Sequence, residues 1–245
     1  MGRYLTLAMR VISKYLMMMT NTENNLTVEQ CKEQIEYLAQ FMLPERFATL
    51  KRAVENRTMY MTLLAENMFH PQNASALVRH CEAFGVQSMH TVQTQCKFNP
   101  NVDIVRGTDK WIDIHHHAST TEALSHLKAQ GYRIVATSPH RQSCTPESFD
   151  VTKGKFAIVM GTEKTGISDE VIAAADEFLK IPMCGMVESL NVSACAAIIV
   201  YMLSERMRSE VECWQMSSEE QIRTMHKWLV ETVKDARPLL ERGGF

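Results

Sequence analysis

Val28, Cys31, Ile35, Leu38 and Met42 recur at steps of three and four, the spacing of one apolar helix face. Thr27 with Gln30 supplies a capping box for that helix, and Pro44 suits the first turn of a second one, whose apolar face is Phe47, Leu50 and Val54. From Met59 the pattern shortens. The apolar run over 60–65 predicts a strand, and a helix follows over about 73–84, with Asn73 as its cap and Gly85 as its stop. Runs over 86–92, around Ile112 and Ile114, and over 132–137, 156–160 and 178–181 predict further strands. Ser119 with Glu122 opens a helix to about residue 130, and Ser168, with Asp169 and Glu170 behind it, opens a short one to about 176. A long helix rich in Ala, Ile and Val spans about 190–207, Ser217 with Glu220 caps another, and the tail to Phe245 is amphipathic. Strands alternating with helices predict an α/β fold, a mostly parallel sheet covered on both faces.

The chain has 245 residues, enough for one large or two modest domains. The pattern divides it into an extension over 1–27, helices over 28–58, the α/β domain over 59–207 and a helical tail over 208–245. With 45% hydrophobic and 22% charged residues the composition is that of a globular protein. The net charge of −2 excludes a global basic field, so any phosphate-facing patch must be local. Residues 128–165 carry six basic against three acidic side chains, whereas 166–205 carry one against six. Seven cysteines without a CxxC pair argue against a zinc ribbon or a disulfide framework and read as small buried hydrophobes in a reducing cytoplasm. The apolar run over 4–19 is broken by Arg10 and Lys14, so neither a membrane span nor a signal peptide is expected. Met17–Met19 leave a later start residue open.

Ligands of parallel sheets bind at the carboxyl ends of strands, so the loops that follow strands were compared. Gly161-Thr-Glu-Lys-Thr-Gly166 has the glycines of a phosphate loop, but Ile167 stands where a Walker loop needs Lys, and no GxGxxG follows any strand. What remains is a loop whose glycines allow close backbone approach to a ligand, with Glu163 between them as a solvated carboxylate or a helix cap. Residues 181–193 form a long strand-to-helix joint containing Pro182, Gly185, Ser189 and Asn191, the last two being good caps. Arg79 lies six residues after Asn73, off its helix face, and by spacing alone reads as a surface ion pair. His115–His117 reads as a polar loop at a strand end, and Trp214 and Trp228 as packing residues.

Taken together, Asn73-Ala-Ser-Ala-Leu-Val-Arg79, Gly161–Gly166 and the 181–193 segment resemble the three ordered motifs of the SpoU branch of the SPOUT RNA methyltransferases, over about residues 41–207. Helical segments on both sides bring the tRNA guanosine ribose methyltransferases of that branch to the front. The resemblance implies a sheet whose C-terminal part threads a trefoil knot. It also implies S-adenosyl-L-methionine held at Thr137, Gly161, Ile181, Met183 and Leu190, with no metal. The implied reaction is methyl transfer to a ribose 2′-hydroxyl, with Arg79 central and Asn73, Glu163, Ser189 and Asn191 in support. A guanidinium is a poor proton acceptor at neutral pH and suits orienting the hydroxyl or clamping a phosphate better. The implied partners are tRNA and a second copy of the chain, in the cytoplasm, with no DNA and no membrane. Three departures bear on the RNA. Gln72 and His80 stand where close tRNA-modifying relatives tend to have His and Thr or Ser, and the segment from Arg206 onward carries seven basic and seven acidic residues. Ribosomal RNA as substrate, and a binding protein without catalysis, therefore stay open as alternatives.

Overall fold

The computed structural model describes residues 26–95, 97–105, 107–138, 143–162 and 165–245. The apolar run over 4–19, nearly all of the N-terminal extension, Cys96 and Glu163 lie outside the described residues. The chain divides into two compact units, 1–51 with 218–245, and 52–217.

In the first unit the helix over 28–39 packs against the two C-terminal helices. Helix α1 (Val28–Ala39) begins with a complete capping box from Thr27 and Gln30, and α2 (Pro44–Glu55) starts at its proline. Cys31 and Leu38 of α1 are buried, as are Met225, Trp228 and Leu229 of the tail. His226 and Gln34 share a buried hydrogen bond of 2.6 Å across them.

The second unit is a six-stranded, all-parallel sheet in the order β3-β2-β1-β5-β4-β6. Its strands are β1 (Met61–Glu66), β2 (Ser88–Val92), β3 (Asp113–His117), β4 (Arg133–Thr137), β5 (Phe156–Met160) and β6 (Glu177–Leu179). Both faces are covered, which is why the central strands read as unbroken apolar runs. Met61, Leu63 and Ala65 pack with α3 (Pro71–Ala83) and α7 (Val192–Glu210), while Leu64 joins Ala136, Val159 and the α5 (Thr120–Ala129) residues Leu124 and Leu127 on the other face. Short helices α4 (Val102–Val105) and α6 (Asp169–Ala174) complete the unit, and α8 (Ser218–Thr232) and α9 (Ala236–Arg242) belong to the first.

Four readings change in the structure. The helix after β1 starts at Pro71 behind His70, so Asn73 lies inside its first turn and is buried instead of capping it. Proline at N1 makes the earlier start favourable because its missing N–H has no helical partner there. His115–His117 are not a loop but the body of the edge strand β3, paired in register with His90, Thr91 and Val92. Glu122 reaches back to the N–H of Ala118, not of Ser119, although Ser119 does cap α5. Of the cysteines, Cys31 and Cys81 are buried, but Cys184 and Cys213 are exposed, because they sit on irregular segments outside the core.

Candidate active site

The chain leaves the sheet at the carboxyl ends of β4, β5 and β6 through three neighbouring segments, and between them lies a cavity of about 530 Å³. Its lining includes Thr137 and Gly161, then Ile181, Met183, Ser189, Leu190 and Asn191. This is the strand-end location expected of a ligand site in a parallel sheet, and the volume is in the range of sites for ligands of nucleoside size. Seven residues expected from the motifs therefore converge on one cavity, although they come from three separate stretches of sequence.

Each wall has a local cause. Thr137 ends β4 and donates its hydroxyl to the carbonyl of Val159, tying the strand ends together. Gly161 follows β5 where a Cβ would come within 2.2 Å of the Gly166 backbone, so no other residue fits without moving the chain. The loop closes there: Thr162 N–H donates to Gly166 O at 2.9 Å and Gly166 N–H returns to Thr162 O at 3.1 Å, with Gly166 at φ +71°. Gly161 thus serves close approach of chain to chain, whereas Gly166 serves a positive φ. A Cβ on Gly185 would meet nothing within 4 Å.

Asn191 is the N-cap of α7. Its Oδ1 accepts from Ser193 N–H at 2.8 Å, and its Nδ2 donates to Asn73 Oδ1 at 3.3 Å. The cap reading is right, yet the same side chain also joins the first and third motifs. Arg79 is exposed, and its guanidinium donates to the carbonyl of Ile104 at 2.9 Å; it is absent from the cavity lining. Six residues on from Asn73, Arg79 leaves α3 on a different face. Beside it, burial pushes the His80 imidazole down, a hydrogen bond to the Ser193 backbone opposes this, and the Arg79 charge adds to it.

Sequence reading passed over Lys180, Glu188, Ile167 and Cys195 on the lining. Only their adjacency to the recognised loops could have marked them. Cys195 is half-buried, with its Sγ 3.8 Å from Leu190 O, and burial raises its thiol pKa. Among the described residues, no group of three or more His, Cys, Asp or Glu is arranged to hold a metal.

The family described as SpoU rRNA Methylase matches residues 60–201. The tRNA (guanosine(18)-2'-O)-methyltransferase of Borreliella burgdorferi is 34% identical over 203 residues, covering 83% of this chain and 93% of its own. The protein of that name from Thermus thermophilus is 37% identical over 161 residues, 64% of this chain and 82% of the relative. The crystal structure of the A. aeolicus TrmH/SpoU tRNA modifying enzyme superposes with a TM-score of 0.69 at 31% identity, covering 78% of this chain and 98% of that one.

Proposed function

The chain belongs to the SpoU methylase family, and from that premise we propose that it methylates a ribose 2′-hydroxyl of tRNA, at guanosine 18, with S-adenosyl-L-methionine as the methyl donor. The observation that carries this reading is the convergence of Thr137, Gly161, Ile181, Met183 and Leu190 on one strand-end cavity. The group fits this lining: the cavity is of mixed character, with Ile181, Met183 and Leu190 as apolar surface and Thr137, Ser189 and Asn191 as polar groups beside it.

Bound there, S-adenosylmethionine supplies an electrophilic methyl and departs as a neutral thioether that needs no acid. The protein's share is to hold a poor nucleophile in line and ease loss of its proton. Asn73 and Asn191 form a polar pair at the start of α7, and Ser189 stands with Asn191 on the cavity lining, so we read these three as the polar support of the ribose. The planar fork of Arg79 suits a phosphate beside the target ribose or the hydroxyl itself. Because Arg79 does not line the cavity of its own chain, we read the working site as drawing on two copies. Met186, Val187, Leu190 and Tyr201 expose apolar side chains that a second copy would cover. Glu163 is read as a supporting carboxylate of the same site. A cytoplasmic homodimer, and a trefoil knot in the C-terminal part of the sheet unit, belong to this reading. Among the described residues no helix is long and apolar enough to cross a membrane.

Ribosomal RNA is the second reading, favoured by the family's own description; the 93% coverage of a tRNA-modifying relative favours tRNA. The test is transfer of labelled methyl from S-adenosylmethionine to unmodified total tRNA and, in parallel, to ribosomal RNA, with the product nucleoside identified. Label in tRNA as 2′-O-methylguanosine is the expected result. Label only in ribosomal RNA would overturn the substrate, and label in neither would overturn the reaction.

A further inference from the structure

We propose that Glu66 is a positioning residue that holds one wall of the cavity in place through the backbone of Ser168. The proposal rests on reading that cavity as the S-adenosylmethionine site. Glu66 is the last residue of β1 and is 2% exposed. A carboxylate at that depth is costly unless its oxygens are bonded. Both are: one accepts the hydroxyl of Thr120, the first residue of α5, at 2.6 Å, and the other accepts the N–H of Ser168 at 3.0 Å.

Ser168 is where the Gly161–Ile167 loop re-enters regular structure. It caps α6 through its side chain, which accepts from Val171 N–H, so its own N–H needs a partner elsewhere. Upstream, the loop is closed on itself by the paired bonds between Thr162 and Gly166 and by Thr165 N–H to Thr162 Oγ1. The described part of the loop, 161–162 and 165–167, is thus tied together. It is fixed at its entry by β5 and at its exit by the bond from Ser168 to Glu66. Gly161, Thr162, Thr165, Gly166 and Ile167 all line the cavity, so a shift at the exit displaces the wall. Glu66 itself is absent from the lining and acts only through this bond.

Because the acceptor pairs with a backbone N–H, proline can delete the donor. Ser168 has φ −73°, which proline accepts. S168A keeps the N–H and loses only the side-chain cap; S168P loses both, so the difference between them reads the bond to Glu66. The measurement is calorimetric titration of the intact protein with S-adenosylmethionine, alongside thermal melting. Glu66→Gln retains a carbonyl acceptor for Ser168 and an amide donor for Thr120, and is expected to bind within about twofold of wild type. Glu66→Ala and S168P are expected to weaken binding by roughly tenfold or more relative to wild type and S168A respectively. In turnover with tRNA, KM for the cofactor should rise while kcat at saturating cofactor holds. Wild-type affinity in a folded Glu66→Ala, or equal affinity in S168P and S168A, would overturn the proposal. Should Glu66→Ala not fold, the Ser168 pair decides. Failure of the wild type itself to bind S-adenosylmethionine would sink the reading of the cavity instead.

Discussion

Gly161, Asn191 and Arg79 each answer to a different physical constraint. At Gly161 the constraint is space: a methyl group there would press on the Gly166 carbonyl and the Ile167 nitrogen, backbone atoms that cannot rotate away. Gly161→Ala should therefore open the loop and weaken S-adenosylmethionine binding by at least about tenfold, read by titration, at a stability cost of about 1–3 kcal/mol typical of overpacking. At Asn191 the constraint is double, since one side chain caps α7 and bonds Asn73. Asn191→Ala should lose about 1 kcal/mol of stability as a cap and, in addition, more than tenfold in methyl transfer. A loss of stability with turnover intact would leave Asn191 only its cap. Arg79 is constrained by charge and reach. Arg79→Ala should abolish turnover while leaving cofactor affinity within about twofold, since the side chain lies off the cavity lining. Near-normal methylation by that variant would remove Arg79 from the mechanism.

Among the elements, the β2–β3 edge with its covering helix α5 carries an unusual load of imidazoles. His90 and His115 stack at 4.8 Å between ring centroids, His90 Nδ1 lies 3.0 Å from His117 Nε2, and His126 of α5 lies 5.6 Å and 5.3 Å from the rings of His90 and His117. Burial, and then the neighbouring imidazoles, push His90 down to about 3; burial also lowers His117, against the pull of Glu122. The unfolded chain takes up a proton at His90 near its ordinary value of 6.5, whereas the folded chain does so only near 3. Stability from this group is therefore complete above about pH 6.5 and is lost progressively as the pH falls from there toward 3. The melting temperature should fall through that window, and His90→Leu should flatten the dependence. A melting temperature equally pH-dependent in that variant would place the effect elsewhere. The period of the chain marks both strands, but which imidazoles share a face depends on register, and register is a property of pairing.

For the molecule as a whole, the exposed apolar segment over 186–190 and Tyr201 on α7 set the expectation. Met186 is 102% exposed and Tyr201 51%, more apolar surface in one stretch than a solitary α/β unit usually presents. Sedimentation should give a dimer for the wild type, and Tyr201→Glu should shift it toward monomer and lower methyl transfer with it. A monomeric wild type with full activity would refute the two-copy site.

Much of the fold is legible in residue order. The strand 156–160 matches β5 (Phe156–Met160) residue for residue, since a buried parallel strand bounded by Gly and Lys has one natural reading. Ser119, Ser168, Thr27 and Pro44 mark helix starts because capping is a local interaction. Motif residues such as Gly161, Leu190 and Asn191 could be named from sequence because the segments that hold them resemble the ordered motifs of a known family. Tertiary structure alone decides which of them meet. Asn73 and Asn191 are 118 residues apart and share a hydrogen bond; Asn73 and Arg79 are six apart and face different ways. Glu66, one residue beyond the strand predicted over 60–65, proves to be a buried strand end between Thr120 and Ser168. Local patterns record each residue's preference for water and for backbone geometry, whereas neighbours across the sheet follow from strand order and register, which no local window contains.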